Sequence, residues 1–126
     1  LAAQWPGFFA AAVPVAAYYD GDPDSLAAYL TKEPGIPLWF FHAINDQYCS
    51  FQDVQMLFRA LRASSACEVW LTSFRETWTN SGHCYGRVAY ANVPDIPGQP
   101  VYGDMLFAWL LNQRRGSSTR ASMHQA

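Results

Sequence analysis

The chain has 126 residues and a formal net charge of −2, with 51% hydrophobic, 16% aromatic and only 14% charged side chains. That length accommodates one domain with a modest core, and the absence of any basic run of five or more leaves nucleic-acid binding without support. The longest apolar stretch, "FFAAAVPVAAYY", is interrupted by Pro14, falls short of the roughly 18 residues a membrane span needs, and lacks the basic flank of a signal peptide.

In chain order, "LAAQWPGFF" reads as the last turn of a helix stopped by Pro6–Gly7. "AAAVPVAA" (10–17) is a short apolar run that suits a strand buried on both faces, although Pro14 cannot donate to a ladder. "YYDGDPDS" is a loop, after which Asp24 is expected to cap a short helix "SLAAYLTK" that Pro34–Gly35 ends. "IPLWFFHA" (36–43) is the clearest strand, because Trp39, Phe40 and Phe41 suit a sheet.

Ser50 stands three residues before Asp53 in a capping arrangement for "VQMLFRALRAS". Val54, Leu57, Phe58 and Leu61 recur at helical spacing and form one apolar face; Arg59 and Arg62 lie off it near the end, where the helix dipole favours cations. "CEVWLTSF" (67–74) is a further strand, and "RETWTNSGH" a polar loop. "CYGRVAYAN" begins a short helix, "VPDIPGQP" is loop, and "VYGDMLFAWLLNQRR" is a final amphipathic helix that Gly116 stops.

Strands alternating with helices predict an α/β fold: about three parallel strands with flanking helices. Sites in such sheets gather at the carboxyl ends of strands. Asp46 follows its strand by three residues and His83 follows the next by nine, so successive strand ends can bring a carboxylate against an imidazole. A carboxylate on one ring nitrogen fixes the tautomer and stabilises the imidazolium formed during proton transfer, which is the acid–base half of a nucleophilic hydrolase. The plainer alternatives are a solvated loop aspartate that caps the following helix, and a surface histidine.

"IPLWFFHAINDQYCS", "EVWLTSF", "TNSGHCYGRVAYAN" and the closing "FAWLLNQRR" resemble the last part of an α/β-hydrolase, of the polyhydroxyalkanoate-depolymerase, feruloyl-esterase and prolyl-oligopeptidase-like groups. In that pattern a strand ending in His-Gly precedes the catalytic acid, a later Gly-His carries the base, and an aromatic-rich helix closes the domain. The resemblance implies the acid at Asp46 and the base at His83, and places "LAAQWPGFFAAAVPVAA" just after a nucleophile elbow. It covers residues 1 to about 115, taken as a partial domain (1–115) with a polar tail (116–126). Ala43 stands where glycine is common, and "QYCS" replaces the usual apolar-Pro sequence after the acid.

The family's serine lies in a Gly-x-Ser-x-Gly turn, and no such turn occurs in this sequence; Ser50, Ser73 and Ser81 lack its flanking glycines. The nucleophile is therefore absent from the chain, and ester or peptide hydrolysis is expected only on completion by an upstream half. The alternative is a non-catalytic, hydrolase-derived structural subunit of a larger assembly. The chain opens at Leu1 in mid-pattern and ends in "GSSTRASMHQA", from which a fragment or processed piece is expected, its tail resting on a neighbour. The missing half or a partner chain is expected to cover the 10–17 strand edge.

Cys49, Cys67 and Cys84 form an odd set without CxxC spacing, expected as reduced, packed thiols, with a Cys49–Cys84 disulfide as the alternative. A metal centre would need Asp46, His83, Cys49 and Cys84 to converge, and their spacing matches no standard zinc pattern, so no metal and no organic cofactor are expected. Tyr48 and Trp78 sit in the site loops as candidates for an aromatic acyl pocket, His42 reads as a packed strand-end histidine, and His124 lies in the tail.

Overall fold

A computed structural model describes residues 4, 8–31, 35–64, 67–75, 82–83, 86–94 and 97–114. Its elements run α1 (Pro23–Leu30), β1 (Leu38–Ala43), α2 (Phe51–Ser64), β2 (Val69–Phe74), α3 (Arg87–Tyr90) and α4 (Gly103–Leu111). The opening helix turn, the loop at 76–81 and the tail expected at 116–126 fall largely or wholly outside the described residues.

β1 and β2 pair in parallel, with Leu38 opposite Val69 and Ala43 opposite Phe74. All six residues of β1 are buried, as a strand covered on both faces should be. Alternation divides them between two layers. Trp39 and Phe41 pack with Phe74, Val88, Ala89 and Leu106 on the α3–α4 side. Leu38 and Phe40 pack with Val54, Leu57, Leu61 and Val69 on the α1–α2 side.

The 10–17 run does not form a regular strand. It touches β1 through two isolated parallel bridges, Ala12 to Leu38 and Val15 to Phe41. The Ala12 amide donates to Pro37 at 2.9 Å, the Trp39 amide to Ala12 at 3.1 Å, the Phe41 amide to Pro14 at 2.9 Å and the Ala16 amide to Phe41 at 2.9 Å. The rung missing from this series is the one residue 14 would donate, and proline has no N–H. Most of the run is half-buried, not buried on both faces, because its outer side has no neighbour among the described residues.

Two helix boundaries also differ from expectation. The cap of α1 is Asp22, whose carboxylate accepts from the Ser25 amide at 2.8 Å, with Pro23 at the first helical position and Asp24 inside the first turn. Pro23 comes with its φ already set for a helix, so the chain enters two residues earlier than a cap at Asp24 would allow. At the other end α4 stops at Leu111, where the amides of Asn112 and Gln113 turn back onto Trp109 and Leu110, well before Gly116. At α2, the Asp53 amide reaches Ser50 Oγ at 3.4 Å, a long version of the expected cap. Among the described residues no helix is long and apolar enough to cross a membrane.

Candidate active site

The carboxyl end of β1 runs into a turn over residues 44–50, tied to the neighbouring strand by the Ile44 amide donating to the Phe74 carbonyl at 2.8 Å. Asp46 organises this turn from within. Its Oδ1 accepts from the amides of Tyr48 at 2.8 Å and Cys49 at 3.0 Å, the short-range pattern by which aspartate favours turns over helix. Both bonds hold the carboxylate in one rotamer, so Oδ2 is left pointing to the sheet's carboxyl margin. There it accepts from His83 Nδ1 at 2.9 Å.

The Asp46 side chain is 0% exposed and that of His83 is 31% exposed, so the acid is covered and the base reaches solvent. Burial by itself would raise the Asp46 pKa. The Cys49 and Tyr48 amides and the His83 ring outweigh it and hold the carboxyl below its ordinary value. An ionised carboxylate only accepts, so Nδ1 of His83 carries the hydrogen and Nε2 is the atom placed to take or return a proton.

Gly82 makes the approach of His83 possible. It adopts φ +73°, and a Cβ there would stand 2.3 Å from the Asn45 carbonyl oxygen. Only glycine tolerates both that backbone and that contact. The pair "GH" is therefore a steric requirement for laying the base loop on the acid turn.

Two residues acquire partners that spacing did not reveal. His42, 1% exposed, donates from Nε2 to the Cys49 carbonyl at 2.7 Å and lies 3.7 Å from Asp46 Oδ2. It is packed at the strand end as expected, but it also ties down the far end of the acid turn. Its position four residues before Asp46 on a buried strand was the available signal.

Cys49 is the second. Its sulfur, an Asp46 carboxylate oxygen and a His83 ring nitrogen all lie within 4.8 Å of one another, a grouping able to hold a metal ion. Three of the four residues whose spacing matches no standard zinc pattern thus converge, and Cys84 lies outside the described residues. Sequence separation says nothing about ligands gathered from two loops. Burial and the neighbouring Asp46 charge raise the Cys49 thiol pKa, while burial pushes Cys67, which packs beside Leu61 and Val69, up to about 11. Both cysteines are free thiols.

Tyr48 is 75% exposed and stands edge-on to His83, ring centroids 5.6 Å apart. Trp78 lies outside the described residues. A hollow of about 380 Å³ opens beside the end of β2, between Phe74, Arg75 and the 97–102 loop, but neither Asp46 nor His83 lines it.

No protein-family model matches the chain, and no curated protein does. Among solved structures it is similar to a thermostable esterase, with a TM-score of 0.58 over 90% of this chain at 21% identity. The match takes in 27% of that esterase, so the chain spans about a quarter of its length. At such identity the likeness is one of fold. The chain has an α/β fold, similar to that of part of this esterase.

Proposed function

We propose that the chain supplies the acid–base half of a serine-type acyl hydrolase. His83 acts as general base through Nε2, Asp46 orients it and stabilises the imidazolium, and the nucleophile comes from outside these 126 residues. The observation that carries this is the 2.9 Å bond from His83 Nδ1 to a covered carboxylate at adjoining strand ends. The esterase-like fold supports ester cleavage, and the sequence resemblance to depolymerase, feruloyl-esterase and prolyl-oligopeptidase-like groups supports an ester or peptide acyl bond. Tyr48, exposed beside the base, is proposed to line the acyl site, and Trp78 with it.

The course is the two-step one. His83 takes the nucleophile's proton as the acyl-enzyme forms, delivers it to the leaving group, and then activates water for deacylation. A form carrying a serine on a glycine-flanked turn should hydrolyse a short acyl ester, and His83→Ala in that form should lower kcat/KM by about 10³-fold or more. An unchanged rate would remove His83 from the mechanism.

A second function is favoured by the lack of any Gly-x-Ser-x-Gly in the sequence together with a 10–17 edge that pairs with no further strand among the described residues. In it the chain is a structural subunit, and a partner chain lies over that edge. A completed protein with no serine on such a turn, and no ester hydrolysis, would select it.

A further inference from the structure

We propose that Asp46, Cys49 and His83 form a binding site for a thiophilic divalent cation such as Zn²⁺, and that its occupancy takes His83 out of acid–base work. The three side chains present one oxygen, one sulfur and one nitrogen within 4.8 Å of one another. Metal–ligand lengths of about 2.0–2.3 Å put the corners of a tetrahedron roughly 3.3–3.6 Å apart, so only a small rearrangement separates the present cluster from a coordination shell. The edge from His83 Nδ1 to Asp46 Oδ2 is 2.9 Å and has to open slightly. The sulfur edges lie within 4.8 Å, and Cys49 has a single side-chain torsion by which to adjust them.

The surroundings are those of a prepared ligand set. Asp46 Oδ1 is occupied by two backbone amides, which leaves Oδ2 as the donor atom and holds its direction. The Cys49 carbonyl is tied to buried His42, so the backbone that carries the sulfur is fixed as well. Outer bonds of this kind orient ligands and commonly contribute 10–100-fold in metal affinity. A carboxylate and a thiolate balance the dication's charge, the mixed set of soft sulfur and imidazole suits zinc, and solvent completes the coordination.

Binding releases one proton to solvent, from the Cys49 thiol. The imidazole stays neutral; where Nδ1 is the ligand, its hydrogen resides on Nε2, and where Nε2 is the ligand its lone pair is taken. Either way Nε2 no longer accepts a proton from a nucleophile. This inhibitory consequence rests on the hydrolase function proposed above, whereas the binding itself does not.

The test is a titration of the 126-residue chain with Co²⁺, under a phosphine reductant, followed by Zn²⁺ displacement. One equivalent should produce a thiolate-to-cobalt charge-transfer band with intense tetrahedral visible bands, and Zn²⁺ should abolish both. Cys49→Ser should remove the charge-transfer band, His83→Ala and Asp46→Asn should each weaken binding at least tenfold, and Cys67→Ala should change nothing. No saturable band in the unaltered chain, or a band that survives Cys49→Ser, would overturn the site without depending on how any variant folds. In a hydrolysing form, activity should vanish with one equivalent of Zn²⁺ and return with a chelator. Activity persisting while the metal is bound overturns the inhibitory half, and lack of activity without metal counts against the hydrolase function alone.

Discussion

Asp46 concentrates the chemistry at the scale of single residues, and its protonation should be visible in stability. Its folded-state pKa is depressed, so the associated stabilisation is present above the ordinary carboxyl pKa and is lost as pH falls through the lower folded value. Denaturant midpoints of the chain should therefore decline below about pH 4, and Asp46→Asn should flatten that decline. An identical acid profile in the variant would contradict the assignment. Gly82 gives the sharper steric test. Gly82→Ala brings a Cβ against the Asn45 carbonyl at a positive φ, so it should cost about 1–3 kcal/mol and part His83 from Asp46. The loss of the downfield Nδ1–H resonance of His83 would report that separation. The meeting of Asp46 and His83 was legible because each follows the carboxyl end of one of two neighbouring strands, by three and nine residues. The place of His42 four residues before Asp46 was a weak signal of its contact, whereas a Cys49 sulfur within ligand reach of both residues leaves no mark on composition or spacing.

At the scale of elements, the strands and helices follow from local pattern. A strand opening on four bulky apolar side chains, Leu38 to Phe41, calls for cover on both faces, and all six residues of β1 are buried. The helical spacing of Val54, Leu57 and Leu61 matches the buried face of α2, with Phe58 half-buried at its margin under Arg62. Leu61 is completely buried between that helix and the sheet, so Leu61→Ala should destabilise by about 2–5 kcal/mol in denaturant unfolding. A loss under 1 kcal/mol would mean that the α1–α2 layer relaxes around the gap. The misplaced boundaries share one cause. Asp22 and Asp24 are both good caps, and the choice between them belongs to the φ of Pro23 and the geometry of chain entry. Likewise α4 ends where its carbonyls find partners, in advance of any glycine.

At the scale of the whole molecule, the sheet has helices on both faces, and among the described residues no strand lies beyond its 10–17 margin. The ladder to β1 uses the backbone of Ala12, Pro14 and Ala16, so alternation turns the N–H and C=O groups of Val13 and Val15 outward. Beside them runs an apolar groove of about 310 Å³, floored by Pro14, Leu38 and Phe40 and walled by Leu26 and Leu30. Such an edge pairs with another chain unless something blunts it. The isolated chain should therefore self-associate with rising concentration in sedimentation velocity, and Val13→Lys should suppress it. A monomer at all concentrations would show that the edge is protected by other means.

The sequence by itself determined the kinds and order of the elements from Pro23 to Leu111 and their parallel α/β arrangement, because hydrophobic periodicity and turn chemistry act over a few neighbouring residues. Tertiary structure alone decided that Pro14 leaves a rung open, that His42 clamps the acid turn, and that Cys49 joins Asp46 and His83 in one cluster. Those contacts depend on strand register and on how two loops close over one sheet end. Residues 37 apart meet there to within a fraction of an ångström of bonding distance, and no local pattern encodes that distance.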